Sequence, residues 1–104
     1  MATRKSKPKQ PETLDRAAES TAFLLHALGY AHLRARVDGK SVVIESGSEE
    51  DPLPHARLSR LSGDNWRIDF PKPSGRWERT PYTGPRGNLV AELHQNAPWM
   101  LEHS

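Results

Sequence analysis

Residues 31–46 read AHLRARVDGKSVVIES and hold the clearest hairpin signal in the chain. Asp38-Gly39 supplies the positive backbone angles of a two-residue type I′ turn, which pairs Val37 with Lys40, Ala35 with Val42 and Leu33 with Ile44. Alternation then sends Leu33, Ala35, Val37, Val42 and Ile44 to one face and His32, Arg34, Arg36, Ser41 and Glu45 to the other. The first set is a core face, and the second carries cations.

Downstream, GSEEDPLP (47–54) combines a glycine, two prolines and three acids, and it predicts a loop. HARLSRL (55–61) reads as a strand, SGDN as a turn, and WRIDF (66–70) as the next strand. PKPSG breaks the chain, RWERT (76–80) forms a fifth strand ended by Pro81, and TGPRG is again a loop. The stretch NWRIDFPKPSGRWERTPY mixes aromatic rings with arginines, the dress of a stacking platform for nucleic acid. Alternation separates them: Trp66, Ile68 and Phe70 point one way, Arg67 and Asp69 the other. The aromatic set is therefore expected to be the spine of the sheet, leaving Trp77 and Tyr82 as the stacking candidates.

Helices close both ends. Thr13 is placed to cap a helix whose first turn carries Asp15, and Leu14, Ala17, Ala18, Thr21, Leu24, Leu25 and Leu28 recur at three- and four-residue steps. Gly29 is its natural stop, and Phe23 and Ala27 are expected to widen the apolar stripe. Asn88 is read as the cap of LVAELHQ, with Leu89, Val90 and Leu93 inward; Trp99, Met100 and Leu101 beyond it are either core or anchor. The prediction is an α+β fold, α-β-β-β-β-β-α, in which an antiparallel meander of about five strands is flanked by an N-terminal and a C-terminal helix.

The chain has 104 residues and no cysteine, which excludes disulfides and thiolate metal sites and fits a reducing compartment. No apolar run reaches the roughly 18–20 residues of a spanning helix, and the basic start lacks a following apolar stretch, so no membrane association and a cytoplasmic location are expected. Four of the 15 Lys and Arg side chains, Arg4, Lys5, Lys7 and Lys9, stand in residues 1–11 without an acid, leaving 11 basic against 13 acidic in the remainder. Residues 1–11 are expected to be a disordered basic arm, and residues 12–104 a single α+β domain. Charge is also polarised within that domain: residues 12–52 hold four basic and eight acidic groups, residues 53–91 seven basic and three acidic.

No catalytic constellation emerges. The five histidines, His26, His32, His55, His94 and His103, form no paired-ligand spacing, and no serine sits in a glycine-framed elbow. Asp69 and Glu78 interleave with Arg67, Arg76 and Arg79, which reads as solvated cross-strand ion pairs. TGPRGN lacks the spacing and the lysine of a phosphate loop. The expectation is a protein that is not an enzyme and needs no cofactor or metal.

With WRIDF, RWERTPY and LVAEL following the hairpin RVDGKSVVIES, the chain resembles an uncharacterised family of short bacterial proteins. Its members have an N-terminal helix, a hairpin built around a glycine, a Trp-x-aliphatic-x-aromatic strand, a Trp-x-x-x-x-Tyr segment and a closing helix. The corresponding positions here are Gly39, then Trp66, Ile68 and Phe70, then Trp77 and Tyr82, then residues 89–93, and the match spans roughly residues 19–95. The resemblance implies the same fold and adds no catalytic residue.

What remains is the polar side of the sheet. Arg34, Arg36 and Arg67 share it, and Arg57, Arg76 and Arg79 join them in some registers. Such a surface, with the arm, suits either the phosphate backbone of a nucleic acid or an acidic protein surface. The leading expectation is a small nucleic-acid-binding module using Arg4, Lys5, Lys7, Lys9, Arg34, Arg36, Arg57, Arg67, Arg76 and Arg79, with Trp77 and Tyr82 beside them. The alternative is an accessory subunit docking on a larger bacterial partner.

Overall fold

In a computed structural model that describes residues 12–102, Thr13 begins the first helix: its hydroxyl accepts from the Arg16 N–H at 3.2 Å. The basic arm with Arg4, Lys5, Lys7 and Lys9 lies outside the described residues, as does His103. The order is α1 (Leu14–Ala27), β1 (Arg34–Asp38), β2 (Ser41–Gly47), β3 (Pro52–Ser62), β4 (Asn65–Pro71), β5 (Trp77–Gly84), α2 (Arg86–Asn96) and a short α3 (Trp99–Glu102). The strands form one antiparallel sheet in the order β1-β2-β3-β4-β5, so each pairs with its neighbour in the chain. This is the predicted α+β meander, with α3 added at the end.

The hairpin keeps its faces but not its predicted register. Val37 pairs with Val42 and Asp38 with Ser41, so the loop is Gly39-Lys40. A type I′ turn needs positive φ at both loop residues, whereas only Gly39 has it, at 64°, the pattern of a type II′ turn. The slip is two residues, which preserves alternation and leaves every side chain on its expected face. Nothing lies within 4 Å of a Cβ added at Gly39, so Gly39→Ala isolates the backbone term. The variant is expected to lose about 1–2 kcal/mol in urea unfolding with an unchanged m-value.

Two strands run through prolines that were expected to break them. Pro52 and Pro54 open β3, in a segment that pairs with β2 alone, since the β4 ladder begins only at Arg57. An edge position demands no donor on its free side, so proline is tolerated. Pro81 lies within β5, the outer strand, where the register with β4 shifts between Arg67 and Asp69. The Thr80 hydroxyl donates to the Ile68 carbonyl at 2.8 Å and accepts from the Tyr82 N–H at 3.1 Å, replacing the ladder at that bulge. Helix α2 likewise starts before Asn88: Pro85 is the N-cap, and its carbonyl accepts from the Leu89 N–H at 3.1 Å.

One core joins the sheet to the helices. Ala17, Ala18 and Leu25 of α1 and Leu89, Val90 and Leu93 of α2 pack with Val42, Ile44, Ala56, Leu58, Trp66 and Ile68. Helix α1 contacts β1 and β2, whereas α2 contacts β4 and β5. Phe23 does not widen the stripe and is 77% exposed. At about 100° per residue it stands roughly 200° from Leu25, too far round to reach the sheet. At the C-terminus Leu101 is core, while Trp99 is exposed.

Histidines tie these parts together. The carbonyls of Leu101 and Met100 in α3 accept from His32 Nε2 at 2.8 Å and His55 Nδ1 at 2.7 Å, and His55 Nε2 lies 2.8 Å from Ser46 Oγ. His94, in the last turn of α2, sits 2.8 Å from the Tyr30 hydroxyl through Nδ1. Burial, and behind it the charge of Glu102, raises the Tyr30 pKa and keeps that phenol protonated.

Candidate functional site

Among the described residues no helix covers the second face of the sheet. Strand register places Arg36, Val43, Arg57, Asp69 and Arg79 opposite one another on successive strands. With strands about 4.8 Å apart, Arg36, Arg57 and Arg79 stand on alternate strands at intervals of roughly 10 Å. The neighbouring row holds Ser41, Ser59 and Arg67, and Trp77 pairs with Pro71 one step beyond Arg79.

Two carboxylates are buried in this uncovered face. Asp69 is 0% and Glu45 3% exposed, although both side chains point away from the helices. Asp69 accepts from Arg67 Nε at 2.7 Å, Arg57 Nε at 2.9 Å and the Ser59 hydroxyl at 2.6 Å. Because Ser59 gives its proton to Asp69, Ser41 must be the donor in the 3.1 Å contact between the two hydroxyls. Glu45 accepts from Arg34 Nε at 3.0 Å and Arg36 Nε at 3.2 Å. A buried carboxylate is tolerable only when paired and hydrogen-bonded, and each of these is held by two guanidiniums.

The pKa of Asp69 records the balance. Burial alone would raise it, but the hydrogen bonds from Arg67, Ser59 and Arg57 outweigh burial and hold it below its ordinary value. Arg67 in turn has its pKa raised by the Asp69 hydrogen bond, against an opposing effect of burial. Asp69 therefore works as an anchor that aims two arginines; of the expected solvated pairs with Arg67, Arg76 and Arg79, only Arg67 meets it, on the same strand and with the carboxylate buried, and Arg57 is the cross-strand partner. Glu78 is not its companion either, since it pairs with Phe70 on the helix side of the sheet.

Anchoring leaves outward-facing donors. Among the described residues, Nη1 and Nη2 of Arg57, Nη1 of Arg67 and Nη1 of Arg36 make no hydrogen bond, and Arg79 makes no side-chain contact of that kind at all. The Arg57 guanidinium also lies 4.8 Å from the centre of the Trp77 ring, a cation–π stack that fixes its plane. Arg57, Arg67, Arg79 and Trp77 are thus gathered over β3–β5.

Other candidates stand apart. Arg34 turns each of its three guanidinium nitrogens to an internal partner: Nε meets Glu45, and Nη1 and Nη2 meet the carbonyls of Gly47 and Ser48, bracing the β2–β3 turn. Arg76 lies in the turn before β5, where its carbonyl accepts from the Lys72 N–H at 2.8 Å. Tyr82 is on the helix side with Ile68, Phe70 and Leu93, so it does not stand beside Trp77. Antiparallel pairing brings the acidic turn with Glu49, Glu50 and Asp51 and the basic turn with Lys72 and Arg76 to the same end of the sheet, over β2–β3 and β4–β5 respectively. The excess of unanchored positive groups therefore lies on the β3–β5 side, with Arg36 on β1 apart from it.

Sequence reading missed Glu45 as an anchor, together with the Ser41–Ser59 relay. The available signal was an acid in phase with the two arginines of the preceding strand. Among the described residues no group of three or more His, Asp or Glu is placed to hold a metal, and no helix is long and apolar enough to cross a membrane. Compared with models of known families, with curated proteins and with solved structures, the chain matches none.

Proposed function

We propose that this chain is a small, non-enzymatic nucleic-acid-binding module that grips the phosphate backbone through the uncovered face of its sheet. The observation that carries this reading is the Asp69 anchor. It holds Arg57 by Nε and Arg67 by Nε and Nη2, and among the described residues it leaves both terminal nitrogens of Arg57 and Nη1 of Arg67 without a partner, beside Arg79, whose side chain makes no hydrogen bond there. Guanidiniums already fixed in plane lose little freedom on meeting a phosphate, and their paired N–H groups match its oxygens. Three arginines around one carboxylate leave the patch positive, and Lys72 and Arg76 extend it at the β4–β5 turn. Arg4, Lys5, Lys7 and Lys9 add further charge from the same chain.

The patch favours phosphate over an acidic protein because it offers no bulky apolar anchor except Trp77, and protein interfaces draw their energy from such anchors at the centre. Contacts of this kind position a backbone without reading bases, so weak sequence preference is expected. The cysteine-free chain fits the reducing cytoplasm for such a role.

Titration of labelled DNA and RNA, single-stranded and duplex, at 50 and 200 mM salt tests the reading. Four phosphate contacts predict an affinity loss of about 10²-fold between the two conditions. Arg79→Ala, which breaks no internal contact, should weaken binding to every sequence alike and lower the salt slope by about one, with thermal unfolding unchanged. Absence of binding at low salt, or indifference to salt, refutes the proposal.

A further inference from the structure

On the opposite side of the sheet, α2 stops short. Ala97 leaves helical geometry at φ −144°, and Pro98 follows it. The end of β4 and the bulged part of β5 are therefore left without a helix over them. A groove of about 320 Å³ results, walled by Ile68, Phe70, Tyr82, Leu93 and Ala97. Tyr82 is 57% exposed along it, a large ring on the surface with no aromatic neighbour in contact among the described residues. The groove's volume falls within the range of natural ligand sites, at the lower end.

Its polar fringe has one sign. Glu92 lines it, with Asn96 donating to the Glu92 carboxylate at 3.4 Å. Glu78 stands across the strand pair from Phe70 and shares its face, so a second carboxylate flanks the same wall. Among the described residues neither Glu78 nor Glu92 has an ion-pair partner, and no Lys, Arg or His lines the groove.

We propose that this groove docks a segment of a partner protein that carries one bulky apolar side chain flanked by lysine or arginine. The apolar group fills the space between Phe70, Tyr82 and Leu93, and the flanking cations meet Glu78 and Glu92. Charge complementarity selects this occupant: an acidic segment would meet two unpaired carboxylates, and a nucleic acid would be repelled from this side while it is attracted to the other. The sheet then separates two ligands by its own thickness, phosphate on the arginine face and a basic peptide on the helix face.

The experiment uses the ¹⁵N-labelled full-length protein and two synthetic peptides, acetyl-GKKWKKG-amide and its acidic counterpart acetyl-GEEWEEG-amide. The basic peptide is expected to shift the amide signals of Phe70, Tyr82 and residues 92–97, and to leave those of Arg57, Asp69 and Arg79 in place. The acidic peptide should bind at least about tenfold more weakly. Tyr82→Ala, a change at an exposed side chain, should reduce affinity by a further factor of about ten with unfolding unaltered, and Glu78→Lys combined with Glu92→Lys should reverse the preference between peptides. Equal binding of the two peptides, shifts spread away from the groove, wild-type affinity in Tyr82→Ala, or groove signals that move with protein concentration alone, as for a second copy of the chain, would each overturn the proposal. Because nucleic acid is absent throughout, the result stands apart from the outcome on the arginine face.

Discussion

Trp66→Ala is expected to destabilise the protein by about 3–5 kcal/mol, enough to leave a domain of this size marginal or unfolded. Trp66 is the largest fully buried side chain, central to the core that joins the sheet to both long helices. Its ring has a second role. The guanidiniums of Arg60 and Arg86 lie 4.6 and 6.0 Å from its centre, and the Nε atoms of both arginines are buried without a hydrogen-bond partner. Aromatic contact is what compensates those two groups, so alanine removes the filling of a cavity and the partner of two cations together. Urea unfolding of Trp66→Ala and Trp66→Phe measures the loss, with the phenylalanine variant retaining much of the stability. An alanine variant within about 1 kcal/mol of the parent would show that this ring is not the spine of the fold.

The second large effect belongs to Asp69. Removing one partner of a buried ion pair leaves the other uncompensated, and here two arginines and a serine lose their acceptor at once. Arg57 and Arg67 retain some access to water, 22% and 18% of their side-chain surface, which softens the penalty. Asp69→Ala is expected to cost about 2–4 kcal/mol. Acid titration probes the same carboxylate in the unaltered protein. Its folded pKa lies below the ordinary value of 3.8, so the unfolded chain takes up the proton more readily. The contribution of Asp69 is therefore full above pH 3.8 and is lost as pH falls below it through the folded value, and the stability curves of the parent and Asp69→Asn should converge there. Asp69→Asn also separates charge from aim. Counting charge alone, the variant should hold nucleic acid more tightly; the orienting role predicts weaker binding despite the extra positive charge.

Much of this architecture was legible because alternation needs only parity. Val42, Ile44, Trp66 and Ile68 could be assigned to the core, and Arg34, Arg36 and Arg67 to the opposite face, even though the hairpin turn was placed on the wrong dipeptide. Prolines misled for a reason outside the local sequence: Pro52, Pro54 and Pro81 break a strand only if a neighbour demands their missing donor, and that depends on which strand lies at the edge. Phe23 misled because side-chain type outweighed angular position on the helix. At the site, Arg57 and Arg79 required the register across β3, β4 and β5 before they could be placed. The burial of Asp69 was illegible, since the cover comes from polar side chains, Arg67 on its own strand and Arg57 and Ser59 on the next, rather than from an apolar neighbour in the sequence.

The chain-order topology of the sheet also has a kinetic meaning. Every strand pairs with the one made just before it, so successive hairpins close short loops, the events with the least entropy to overcome. The hydrogen bonds of longest sequence separation join its two ends: Arg86 with Glu12 and Thr21, Tyr30 with His94, and His32 with the Leu101 carbonyl. These need the longest closures and so form last. In such a molecule substitutions at the turns around Gly39 and Gly63 are expected to change the folding rate, and substitutions in the clasp between α1 and α2 the unfolding rate.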